Sequence, residues 1–175
     1  MFCLLALHNA RDWRRGEDIR LQELHDHHIF PQAYLRRHDV TRRVDVNSVA
    51  NRTLISNETN TRIKDKAPAD YIGDPAIFPT GAIPGLMAPH FIGQASLTLM
   101  REATEAAAFP EAADICQRFL QAREAAMIAE IRRACGITAA AGVFAQETVP
   151  DDAAGDMQAG TDPQDDQELG EELLA

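Results

Sequence analysis

The chain has 175 residues and a formal net charge of −10, from 17 Lys/Arg against 27 Asp/Glu. That length suits one domain. Three scattered cysteines, Cys3, Cys116 and Cys135, exclude a C-x-x-C zinc signature and a disulfide framework, which fits a reducing cytoplasm.

Taken whole, the charge misleads. From Glu147 onward there is no Lys or Arg, few large apolar residues and ten acids. Such a segment cannot bury enough apolar surface to offset its ordering entropy, so a disordered acidic tail is expected over 147–175. Acids and bases before it balance at 17 each. Between Arg11 and Lys66, twelve bases face nine acids, with doublets at Arg14/Arg15, Arg36/Arg37 and Arg42/Arg43. An acidic chain average therefore does not exclude a nucleic-acid partner, although Arg doublets more often form a solvated surface.

In chain order, residues 1 to 10 form a Leu- and Ala-rich run that reads as a helix. It has neither the basic flank nor the length of a signal peptide or membrane span. The chain opens almost inside this apolar element, as expected for the end of a longer protein or a fragment of one. Residues 19 to 30 read as extended, closed by Pro31, and Gln32 to Arg37 suit one or two helical turns.

Asn51 to Ser56 reads as a second short strand, and Ser56 or Asn57 can cap the helix through Asn60 and Lys64 that Pro68 stops. Residues 73–92 are rich in Pro and Gly and read as a connector. Two helices follow, Ala95 to Ala108 and Pro110 to Ala134, the latter stopped by Gly136. Its stripe of Ile115, Phe119, Leu120, Met127, Ile128 and Ile131 is read as core or an inter-domain contact.

The chemistry concentrates in His27-His28-Ile29-Phe30-Pro31, followed by Asn51 and Asn60. Hydrolysing a phosphodiester needs an activated water and a cation on the developing charge. A neutral imidazole is a suitable base near pH 7. Neighbouring strand residues point to opposite faces, so the two histidines cannot share one job. A helix-borne Asn60 can offer a carbonyl oxygen as a hard ligand. His25 and Asp26 also lie within reach as donors, and Asp26 alternates onto the face of His28.

The segments Asp26 to Tyr34, Asn51-Arg52-Thr53-Leu54 and Thr59-Asn60 resemble the HNH, or His-Me finger, endonuclease core. The resemblance implies an α+β fold: a ββα-metal core of a two-stranded hairpin and helix, followed by C-terminal helices. It implies His28 as general base, His27 as first metal ligand, Asn51 as brace of the inter-strand loop and Asn60 as second ligand. The implied cofactor is Mg²⁺ or Mn²⁺ and the implied partner is DNA, with no membrane. Arg52, Arg62, Lys64 and Lys66 are candidates for phosphate contact, or equally a solvated helix face.

Ala10-Arg11-Asp12-Trp13, Lys66 to Tyr71 and Ala88-Pro89-His90-Phe91 are further similar to the C-terminal nuclease part of GmrSD-type restriction proteins. There a ParB-like NTPase domain precedes the nuclease, implying a role in restricting foreign DNA with that domain or subunit supplied elsewhere. The expected organisation is a nuclease core over 1–72, the connector 73–92, helices over 93–136 packing on the core, and the tail. The alternative is a catalytically silent nucleic-acid-binding or inter-domain module. His8, His38 and His90 are read as structural or surface residues.

Overall fold

A pair of five-residue antiparallel strands organises the candidate site. In the computed structural model, which describes residues 1–78 and 81–137, strand β1 (Leu24–His28) pairs antiparallel with β2 (Arg52–Ser56). The register sets His27 opposite Thr53 and His28 opposite Arg52. Residues directly opposite share a face. His27, Thr53 and Ile55 therefore turn inward and are buried, whereas Asp26, His28, Arg52 and Leu54 stay half-exposed on the other face.

Helices enclose this hairpin: α1 (Phe2–Leu7), α2 (Gln32–Arg37), α3 (Asn57–Ile63), α4 (Pro68–Gly73), α5 (Ile83–Met87), α6 (Gln94–Glu102) and α7 (Glu111–Ala134). The fold is α+β. All described residues belong to one unit; the acidic tail expected over 147–175 lies outside them.

Local chemistry explains the joints. Ser56 ends β2 and caps α3, its Oγ accepting from the Thr59 N–H at 3.1 Å. Asp12, 2% exposed, fastens the preceding loop to this cap: Oδ1 accepts from Ser56 N at 2.8 Å and Oδ2 from the Thr59 hydroxyl at 2.8 Å. Oδ2 also accepts from the amides of Arg14 and Arg15, shaping a turn in which Gly16 adopts φ +66. Burial works to raise the Asp12 pKa, but these bonds more than offset it and hold it below the ordinary value.

Several boundaries differ from those expected. Residues 21–23 form a 3₁₀ turn before β1, not extended chain. Pro68 does not merely stop α3: it opens α4 in the first turn, where its missing N–H costs nothing. Pro84 likewise sits in the first turn of α5, so the connector 73–92 contains helix. Helix α6 stops at Glu102, short of Ala108.

The core gathers Trp13, Phe30, Tyr34, Tyr71, Phe78 and Phe119 with aliphatics from α6 and α7. The α7 stripe is only partly core: Ile115, Phe119, Leu120 and Met127 are buried, while Ile128 and Ile131 are 40% and 42% exposed. His8 pairs with Glu130 at 3.0 Å and packs on Phe91, pinning α1 to α7. His38 pairs with Glu105 at 3.2 Å.

His90 is fully buried and spans two elements. Its Nε2–H donates to the Arg11 carbonyl at 2.8 Å, and the Thr53 hydroxyl donates to Nδ1 at 2.7 Å. Those partners select the neutral ring, and burial pulls its pKa down to about 4 from an ordinary 6.5. The unfolded chain then binds the extra proton first as pH falls. His90 should contribute stability fully above 6.5 and lose about 3 kcal/mol between 6.5 and about 4. Chemical denaturation across this range should give a flatter pH profile for His90→Gln; an unchanged slope would contradict the assignment.

Candidate functional site

Between the end of β1 and the flank of α3 lies a cleft of 170 Å³ lined by His25, Asp26, His27, His28, Pro31, Gln32, Asn60 and Lys64. The shortest side-chain contact among these sets His27 Nδ1 2.8 Å from Asn60 Oδ1. Burial drives the His27 pKa down to about 4, so its ring is neutral at pH 7. With Nδ1 protonated the pair is a hydrogen bond. With the proton on Nε2, Nδ1 carries a lone pair next to the Asn60 carbonyl oxygen. Nε2 has no polar partner among the described residues and is sealed inside, where the ring edges against Trp13 at 5.6 Å.

His28 lies next in the strand on the opposite face. Arg52 Nη1 and the Gln32 amide approach its Nε2 at 3.1 and 3.2 Å, and Asn47 Oδ1 lies 3.2 Å away. Arg52 and Gln32 can donate to an unprotonated Nε2, whereas Asn47 Oδ1 would accept from a protonated one. Partial burial lowers the ring's pKa first, and the Arg52 charge adds to this. The result is a neutral, half-exposed imidazole oriented by its neighbours.

Asn51 holds both histidines in register from behind. It is 1% exposed, and its Oδ1 accepts from Phe30 N at 2.9 Å. Its Nδ2 donates to the Phe30 and Val46 carbonyls at 3.2 and 3.1 Å, and its own carbonyl accepts from Ile29 N at 2.8 Å. The residues immediately after His28 are thereby clamped to the start of β2.

The remaining sequence candidates separate. Asp26 lines the cleft, but its carboxylate is engaged bidentately by Arg52, with Nε to Oδ1 at 2.8 Å and Nη2 to Oδ2. Arg62 pairs with Glu58 at 3.3 Å and Lys66 with Asp74 at 2.8 Å, both away from the cleft lining. Only Lys64 of these cations lines the cleft without an acidic partner among the described residues.

Sequence reasoning missed two residues. Asp12 was quoted only within a motif, yet it ties the α3 cap to the preceding turn. Arg123 on α7 is fully buried and donates to the carbonyls of Ala50 at 2.7 Å, Arg52 at 2.8 Å and His90 at 2.9 Å. A usable signal existed: Arg123 stands one turn from both Phe119 and Met127 on the apolar stripe.

Among the described residues no three His, Cys, Asp or Glu side chains converge as a metal cage. The pair available is one nitrogen and one amide oxygen. Their 2.8 Å separation fits adjacent corners of an octahedron, ~3 Å apart for ~2.1 Å bonds. A cation that keeps most of its waters needs no more protein donors than this.

No family model matches the chain, and no solved structure matches it. An uncharacterized protein of Methanocaldococcus jannaschii, MJ0686, is 26% identical over 144 residues, covering 75% of this chain. The chain spans only 24% of that relative's length. No helix among the described residues is long and apolar enough to cross a membrane.

Proposed function

We propose that this chain is an HNH-type, ββα-metal endonuclease domain that hydrolyses DNA phosphodiester bonds with one hard cation, Mg²⁺ or Mn²⁺. One observation carries the reading: His27 Nδ1 and Asn60 Oδ1 meet at 2.8 Å in a cleft where the neutral imidazole of His28 stands on the adjacent strand position. The order strand, strand, helix supports it, because the hairpin and α3 face each other across that cleft.

His27 and Asn60 would hold the cation. When bound, it supplies electrostatic stabilisation of the charge that develops on the phosphate and leaving oxygen. His28 takes the proton of the attacking water at Nε2, the nitrogen that Arg52 and Gln32 approach as donors. Asn51 fixes the loop so that His28 keeps its place. Arg52 orients the ring while Asp26 neutralises and aims its guanidinium.

The wider role is restriction of foreign DNA beside a ParB-like NTPase domain or subunit. A second reading, a silent nucleic-acid-binding or inter-domain module, is favoured by one fact: three side chains already crowd His28 Nε2.

Incubating supercoiled plasmid with the protein separates the two. Nicked or linear product in Mg²⁺ or Mn²⁺, abolished by a chelator, is expected. Binding without cleavage would select the silent module.

A further inference from the structure

Lys64 closes helix α3 in a backbone conformation that its side chain disfavours. Its φ is +53 and its ψ −117, outside the left-handed well that non-glycine residues occasionally visit. Helices that end on positive φ ordinarily place glycine there, because glycine has no Cβ to clash. A lysine in this region stores strain, and such strain persists only where the surroundings enforce it.

Three further observations say what the strain accompanies. The Lys64 N–H donates to the Asn60 carbonyl at 2.9 Å, so Lys64 follows the candidate ligand by one turn. Residues four apart on a helix lie on one side, and Lys64 lines the cleft together with Asn60, His27 and His28. Finally, the neighbouring cations Arg52, Arg62 and Lys66 all have carboxylate partners, whereas Lys64 has none among the described residues. An unneutralised ammonium at the rim of a cleft otherwise lined by neutral donors and a compensated acid attracts an anion.

We infer that Lys64 is a further catalytic residue of this cleft, whose ammonium pairs with a non-bridging oxygen of the scissile phosphodiester. This rests on the nuclease reading. As negative charge accumulates on the phosphate, a fixed cation stabilises the transition state more than the ground state, with no proton transferred by Lys64. The residue thus exchanges fold stability for charge placement.

Three variants test this. Lys64→Gly should raise Tm by about 2–5 °C through relief of strain, yet lower kcat for plasmid cleavage roughly 10- to 100-fold. Lys64→Met should keep the wild-type Tm and show the same loss in kcat, and Lys64→Arg should retain most of it. Independently of turnover, Lys64→Met in a His28→Ala background should reduce the salt slope of binding to a short DNA duplex by about one unit.

Wild-type rates and salt slope in Lys64→Met would overturn the inference, as would a lower Tm in Lys64→Gly. Cleavage lost in His28→Ala but intact in the Lys64 variants would leave the nuclease reading standing and remove Lys64 from it. Were wild-type protein not to cleave at all, the nuclease reading would fall, and an undiminished salt slope would still reject the contact.

Discussion

Replacing His28 by alanine is expected to lower the single-turnover rate of Mg²⁺-dependent plasmid cleavage about 10²- to 10⁴-fold, the span that one positioned base contributes. The fold should survive. His28 is half-exposed on the outer face of the hairpin, and its partner Arg52 remains anchored by Asp26. A Tm within about 2 °C of wild type is therefore expected for a half-exposed side chain. The large kinetic loss beside a small thermal one is the signature. Equal rates for variant and wild type would remove His28 from the chemistry, and a collapsed Tm would make it structural.

Arg123→Met should give the opposite pattern: a large fall in stability. The guanidinium is 0% exposed, and burial pulls its pKa down to about 9, so it carries its charge at neutral pH. It meets no carboxylate among the described residues; its closest partners are the Ala50, Arg52 and His90 carbonyls, with the Val49 carbonyl at 3.4 Å. Deleting it removes the donors from these carbonyls, two of them in buried bonds, at about 1–3 kcal/mol for each acceptor left unpaired, partly offset by the relief of burying a cation. A net loss of about 3 kcal/mol, or about 10 °C in Tm for a domain of this size, is expected.

The damage should also reach the site. Two of the three carbonyls flank Asn51, which in turn clamps Phe30 two residues after His28. Arg123→Lys restores a charge but fewer donors and should recover part of the loss. A differential melt checks this; a Tm within 2 °C for Arg123→Met would show that α7 does not brace the hairpin.

The contrast between these residues explains what was legible beforehand. His27, His28, Asn51 and Asn60 could be read as one set because the hairpin and helix that unite them are local, built within about forty residues. The Ser56 cap and the Gly136 stop, at φ +68, are also local signals. Arg123 and Asp12 act across 71 and 44 residues of chain, mainly on backbone groups, so no nearby stretch of sequence names their partners. Prolines misled for a related reason. Pro68 and Pro84 are breakers inside a helix but good first-turn residues, and only the surrounding packing decides between the two. The strain at Lys64 was equally invisible, since nothing about a lysine announces a positive φ.

The proposed nuclease function requires that His27 and Asn60 hold a cation in the cleft. The most direct measurement is the rate of plasmid cleavage as Mg²⁺ is titrated, for wild type and His27→Ala side by side. The wild-type rate should rise and saturate. The variant should require roughly 10- to 100-fold more Mg²⁺ or fail to saturate, as expected when a ligand is removed from a site with few protein donors. Wild-type protein that cleaves at no Mg²⁺ concentration, or two superimposable curves, would contradict it.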